Sequence, residues 1–249
     1  MYNYTNQDQI RWYQKWWGVV LISIFVVLSV LLVYFAVITG QYYFKIKQGQ
    51  GAILQKQFYG GFNQSINGAI NTTKIKRKEI ETNDDPFLGN PGAKLVIVEF
   101  VDFKCPNCKK SAITLKKIMD SYSSKVKLIL RDFPAESLHP GSNQIAELAF
   151  CARQQGRFWD MHDAIFAVQG SLPANLGSSA IKSLSDEAGT DFTKLKDCFN
   201  KGLGKAEINK DYTDGIKFGV KGTPTFFVNG QKVEGSVPYS SWEKVIKKF

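Results

Sequence analysis

Residues 18–40 read GVVLISIFVVLSVLLVYFAVITG, apolar on every face and interrupted only by Ser23, Ser29 and Thr39. A helix of about 20 such residues crosses the roughly 30 Å hydrocarbon core of a bilayer. Trp16 and Trp17 precede the run and Tyr42, Tyr43 and Phe44 follow it, where aromatic rings favour the headgroup layer. A cleaved secretory signal would carry about 7–15 apolar residues and end in a small-x-small site. Val37-Ile38-Thr39 fits that poorly, so the run is expected to be an uncleaved transmembrane helix. Arg11 and Lys15 on one side and Lys45, Lys47 and Lys56 on the other leave its direction open.

The pattern then changes twice. Residues 41–85 are rich in Gln, Asn, Gly and Lys and read as a tether with room for one short helix, closing on Asp84-Asp85-Pro86 and a Pro91-Gly92 turn. From residue 94, KLVIVEFV is a continuous apolar run rich in β-branched residues, the pattern of a strand buried on both faces. Cys108, Ala112, Leu115, Met119 and Tyr122 follow at helical spacing, and VKLILRDF (126–133) predicts a second strand. Residues 140–218 carry only helical patterns, broken at Gly156, 170–173, Gly189 and 202–204. TPTFFVNGQKV (223–233) predicts a hairpin turning at Asn229-Gly230, and SSWEKVIKKF a closing amphipathic helix. The order β-α-β, helical block, β-β-α predicts an α/β domain with helices on both faces of a small sheet.

Composition adds little to this picture. With 32 basic and 22 acidic residues the formal charge is +10, but the basic residues are scattered. The densest cluster, residues 74–78, lies in the tether with no nucleic-acid-binding signature beside it. A basic exterior near an anionic surface accounts for the charge, and no nucleic-acid partner is expected.

Candidate chemistry rests on Cys105-Pro106-Asn107-Cys108. Proline suits the first position of a helix, because its missing N–H would be unpaired there anyway. Cys105 then falls at the N-cap, where free backbone N–H groups and the helix dipole favour an anion. That anion is a thiolate, the species that attacks disulfides. Lys104, Lys109 and Lys110 are expected to add positive charge, and Cys108 stands one turn on as the resolving thiol. A zinc site needs four ligands. Cys151, Cys198, His139 and His162 form no second pair at ligand spacing, so neither metal nor other cofactor is expected. Both histidines lack a matching Ser or Asp constellation and read as structural, and Phe158, Trp159 and Phe166 as core of the helical block.

EFVDFKCPNC (99–108) and, some 115 residues on, GVKGTPTFFVNG resemble the DsbA-type thiol–disulfide oxidoreductases of the thioredoxin fold, membrane-anchored members of Gram-positive bacteria above all. The resemblance covers about residues 84–249, including FCARQQGRFWDMHDAIF in the helical block. It does not cover the segments read above as a tail at 1–17, an anchor at 18–40 and a tether at 41–85, and it implies a thioredoxin-fold domain at 86–249 with a helical insertion at about 138–203. It also implies a cis peptide bond at Pro224, with Thr223, Pro106 and Asn107 contacting an extended substrate. Glu99, six residues before Cys105, is then either an edge glutamate reaching solvent or a buried acid of raised pKa, the proton relay of Cys108. Cysteines in such FCA and DCF contexts are bridged in other members. Cys151 and Cys198 are thus a structural disulfide or two buried thiols. A bridge would need an oxidising compartment, placing the C-terminal domain outside the cytoplasm.

The function so implied is introduction of disulfides into unfolded exported proteins. Reoxidation would come from a quinone-linked membrane partner similar to DsbB or the vitamin K epoxide reductases. Asn107 departs from the histidine common at that position and implies a less oxidising pair. The alternatives are a reductase or isomerase of the same fold, or a tethered module that binds unfolded chains without catalysis.

Overall fold

The structure is a computed structural model and describes residue 13 and residues 15–45 and 75–249. Contacts divide the chain into two units, 1–60 and 61–249. In the first, helix α1 spans Trp16–Lys45. Its stretch Trp16–Gln41, of mean hydropathy 3.0, is the one helix among the described residues long and apolar enough to cross a membrane. Apolar surroundings penalise a free hydroxyl. Ser23, Ser29 and Thr39 meet this by donating to the carbonyls of Val19, Phe25 and Phe35, at 2.9, 2.8 and 2.6 Å. Arg11, Lys47, Lys56, the side chains of Tyr42, Tyr43 and Phe44, and most of the expected tail and tether lie outside the described residues.

In the second unit, packing begins within the stretch read as tether. Helix α2 (Arg77–Ile80) buries Ile80 against Val96 and Val98, and Asp85 reaches the fully buried Arg131 at 3.1 Å. A strand absent from the sequence reading follows, β1 (Phe87–Gly89). Strand β2 (Leu95–Val101), helix α3 (Pro106–Tyr122) and strand β3 (Val126–Asp132) then form the expected β-α-β unit. Strands β4 (Thr225–Val228) and β5 (Gln231–Glu234) turn at Asn229 and Gly230, with φ of 48° and 85°. A two-residue turn of this hand needs positive φ at both positions, which Asn and Gly accept most readily.

The sheet has five strands in the order β1-β3-β2-β4-β5. β2 pairs parallel with β3 and antiparallel with β4, and β1 closes the edge antiparallel to β3. All seven residues of β2 are buried, as the unbroken apolar run requires of a central strand. Alternation sends Leu95, Ile97 and Glu99 to the face covered by α3 and by the closing helix α9 (Tyr239–Ile246), while Val96, Val98 and Phe100 face the other way.

The helical block comprises α4 (Ser142–Arg153), α5 (Phe158–Val168), α6 (Ser178–Ala188) and α7 (Phe192–Lys201). Helix α8 (Lys205–Lys217) returns to the sheet. Its Asp211 and Asp214 bind Arg131 on β3, each at 2.6 Å. Gly141 at the N-cap of α4 has φ of 90°, and a Cβ there would stand 2.2 Å from the carbonyl oxygen of Ala174. The core of the block is continuous with Val101, Phe103, Cys105 and Cys108, so the cysteine pair sits at the seam between sheet and helical block.

Candidate active site

Strand β2 ends at Val101, and Cys105 caps α3 with φ −73° and ψ 123°, Pro106 taking the first helical position. Cys105 and Cys108 are free thiols, 6% and 0% exposed. Their acidities are driven apart. A hydrogen bond from the Cys108 thiol is the main cause that brings Cys105 down to about 5, against burial, with help from the N–H groups of Cys108 and Asn107 and from Thr223. Burial first, then the Cys105 sulfur and the charge of Glu99, pushes Cys108 well up. One sulfur is thus a thiolate at neutral pH and the other stays protonated behind it.

The help expected from Lys104 and Lys109 is not there. Lys104 turns its ammonium to the carbonyls of Pro140 and Pro173, at 2.6 and 3.2 Å, and Lys109 to that of Ala167 at 3.2 Å. Hydrogen bonds at the head of α3, rather than neighbouring cations, hold the thiolate.

Glu99 sits in mid-sheet, flanked by Leu130 and Phe226, so it is no edge residue reaching solvent. It is 2% exposed, and its Oε1 has no hydrogen-bond partner among the described residues. Burial is the main cause that raises its carboxyl to about 8, with Ser111 opposing and the Cys105 thiolate adding to the rise. Such a carboxyl is poised between its two forms near neutral pH.

Opposite the pair, the Thr223–Pro224 bond is cis, and Cys105 Sγ lies 3.3 Å from the carbonyl oxygen of Thr223. Asn107 is exposed, and its carbonyl accepts from Ser236 at 3.2 Å. A groove of about 890 Å³ starts at Cys105 and Thr223 and runs between Leu138, His139, Phe133 and Tyr212. Cys151 and Cys198 lie apart from this site, joined at an S–S distance of 1.99 Å between α4 and α7.

Two residues that support the site, Gln169 and Asp102, escaped sequence reasoning. Gln169, buried, donates to the carbonyls of Phe103 and Cys105 at 2.8 and 2.9 Å, holding the loop that aims the cysteine. Asp102 is buried just ahead of Cys105. It accepts from Lys104 N and Ser142 Oγ at 2.8 Å, from Ala135 N at 3.0 Å, and meets His139 Nδ1 at 2.7 Å. The histidines therefore do have acidic partners, His139 in Asp102 and His162 in Asp163, the latter at 3.0 Å. The one signal in the sequence was an acid closing an apolar strand next to a cysteine.

Known proteins agree with this architecture. A thioredoxin-like oxidoreductase of Silicibacter pomeroyi superposes with a TM-score of 0.60 and 27% identity, covering 70% of this chain and 97% of that one. BdbD of Bacillus subtilis in its oxidised form gives 0.57 at 24% identity, over 70% and 95% of the two chains. The alpha-DsbA2 thiol–disulfide exchange protein of Wolbachia pipientis gives 0.60 at 22%, over 69% and 90%. By sequence, a protein of Salinispora tropica named Na(+)/H(+) antiporter NhaA 3 is 32% identical over 162 residues, 65% of this chain. The chain spans about a quarter of the length of such curated relatives. The thioredoxin family pattern matches residues 81–248, from before β1 to beyond α9. The chain belongs to the thioredoxin family, and its fold is the DsbA-type variant with a helical block set into the sheet.

Proposed function

We propose that the chain is a membrane-anchored thiol oxidase acting outside the cytoplasm, with residues 18–40 as its anchor, 41–85 as a tether whose end, from Ile75 to Asp85, packs onto the domain, and 86–249 as its catalytic domain. The observation that carries this reading is the opposed pair: Cys105 acidic at the rim of a groove, Cys108 buried and protonated behind it. With the pair joined as a disulfide, a client thiolate attacks Cys105. A client–Cys105 disulfide forms, and Cys108 leaves with the electron pair and takes a proton from Glu99. A second client thiolate then attacks the client sulfur and expels Cys105 as a thiolate, whose low pKa makes it the better leaving group. The extended client lies along Thr223 and Pro224, main chain to main chain, with Pro106 and Asn107 at its side, which favours many sequences over one.

The apolar helix of 26 residues supports an anchor, and the Cys151–Cys198 bond supports an oxidising compartment. Reduced enzyme would return its electrons to a quinone-linked membrane partner of the DsbB or vitamin K epoxide reductase type. Ion antiport, the activity in the curated relatives' names, would need spans that enclose a path, and one such helix stands among the described residues.

Two experiments test the proposal. The oxidised chain should restore activity to a reduced, unfolded disulfide protein, and Cys108→Ser whose Cys105 is preloaded as a mixed disulfide with glutathione should exchange glutathione for a single-cysteine client, giving client–Cys105 adducts resolvable on non-reducing gels. If no adducts form while unfolded clients still bind, the non-catalytic module is the right reading. Protease added outside spheroplasts should digest the chain beyond the anchor. Protection equal to that of a cytosolic reporter would reverse the topology.

A further inference from the structure

Cys108 is fully buried, and Glu99 opens no surface to the groove in which the client is proposed to lie. Each turnover nevertheless adds one proton to Cys108 and later removes it. That proton needs a way through the protein, and the structure holds a separate cavity in the right place. It measures about 270 Å³, lies between α3, α5 and the β1–β3 edge, and shares no lining residue with the groove. Glu99 stands on its wall, and its exposed rim includes Lys116 and Asp163.

The wall is mostly apolar, but three linked polar side chains line it together with Glu99. His162 is 6% exposed, with its ring centroid 5.8, 5.1 and 4.8 Å from those of Phe103, Trp159 and Phe166. Its Nδ1 meets Asp163 Oδ1 at 3.0 Å, and Asp163 Oδ2 accepts from the ammonium of Lys116. Burial keeps the imidazole neutral by lowering its pKa. A neutral ring has one N–H and one bare nitrogen, so it can take a proton on one side and release one on the other. The volume far exceeds the roughly 30 Å³ that one water occupies in the liquid.

We propose that this cavity is the proton port of the enzyme, in which water and the His162–Asp163–Lys116 chain carry protons between Glu99 and solvent on the side away from the client. The inference rests on Glu99 as proton donor and acceptor of Cys108. When client thiolate attacks, the Cys105–Cys108 bond breaks, the client sulfur is oxidised, and the Cys108 thiolate takes the carboxyl proton of Glu99. The carboxylate left behind is reprotonated through the port. On reoxidation the Cys105 thiolate attacks a disulfide of the partner and forms a Cys105–partner disulfide; Cys108 then returns its proton to Glu99 and attacks the Cys105 sulfur, the partner's second thiolate departs, and the proton leaves by the port. The separation lets proton movement proceed while a client covers the groove. Titratable groups facing Glu99 and the cavity are Cys105, Cys108, Lys116 and Asp120 from α3 and His162 and Asp163 from α5; β1 and β3 bring only Leu88, Gly89 and Leu128.

The test uses the oxidised full-length chain in detergent, mixed rapidly with excess reduced dithiol peptide between pH 6 and 9. His162→Ala and Asp163→Asn should slow the step in which Cys108 leaves by about tenfold or more, the lower reach of general acid–base effects. Added imidazole should restore the His162→Ala rate, which a packing defect would not allow, while Cys105 alkylation keeps its pH midpoint in both variants. Rates within twofold of the unmodified chain in both variants, or a slowed His162→Ala that imidazole leaves slow, would overturn the port. If His162→Ala does not fold, the rate of Asp163→Asn decides. Glu99→Gln separates the two readings. If it leaves the rate unchanged, the relay role falls and takes the port with it; if it alone slows the step, only the port falls.

Discussion

A thiolate held by hydrogen bonds at the head of α3 should leave its mark on how the redox potential depends on pH. Reducing a disulfide to two thiols takes up two protons; reducing it to one thiolate and one thiol takes up one. Each proton is worth about 30 mV per pH unit for a two-electron couple. Cys105 lies down at about 5 and Cys108 well above its ordinary range, so between pH 5.5 and 7.5 reduction takes up a single proton. The potential should fall by about 30 mV per pH unit across that window, steepening to about 60 below pH 5. The sign follows from the lowered pKa. Stabilisation of the reduced form is complete above the ordinary cysteine value of 9.0 and disappears as pH falls through about 5. At pH 7 the two pH units above the lowered pKa amount to about 2.7 kcal/mol, or roughly 60 mV towards the oxidising side. The potential should then lie between about −270 and −120 mV, the values of thioredoxin and DsbA, and nearer the second. Glutathione titration of the full chain at several pH values, read by thiol alkylation, measures both slope and position. A slope of about 60 mV per unit throughout pH 5.5–7.5 would refute the thiolate, and a potential at or below that of thioredoxin would favour the reductase reading.

Three further outcomes are expected. Asn107→His should move the potential up by tens of millivolts and lower the alkylation midpoint of Cys105 in step, through a cation beside the thiolate; an unmoved midpoint would show that the second residue between the cysteines does not act on it. Arg131→Leu leaves Asp85 and Asp211 buried without their cation and should destabilise the domain by about 3–5 kcal/mol in urea unfolding, whereas a loss under 1 kcal/mol would mean that the acids simply take up protons. Gly141→Ala forces a side chain into positive φ and against the backbone of Ala174, so it should lower the melting temperature, and an unchanged value would show that the loop yields freely.

What the sequence made legible was whatever is governed by near neighbours. β2 and β3 are unbroken apolar runs, the Asn229-Gly230 turn is set by two residues, and Pro106 fixes where α3 begins. β1 was invisible because three residues, Phe-Leu-Gly, carry no period; pairing with Leu128 and Ile129 and a hydrogen bond from Trp159 to the Phe87 carbonyl make it a strand. The lysines beside the cysteines misled for a related reason: nearness in sequence fixes the position of a charge only to within the length of its side chain. Lys104 spends that length reaching Pro140, 36 residues on. Likewise the partnership of Asp102 with His139 spans 37 residues, and no local pattern announces it.

The seam between sheet and helices has a consequence for how this chain can change over generations. Phe103 and Cys108 share one buried core with Ile145, Phe158, Met161 and Ile165, so the helical block contributes to the wall behind the resolving sulfur. Excising about residues 138–203 to leave a minimal thioredoxin would open that wall to water, remove the burial that keeps Cys108 protonated and cut Gln169 from the loop it holds. The block is therefore not a detachable accessory. Drift in α4 or α5 is felt at the cysteines, and viable descendants have to alter the two sides of the seam together.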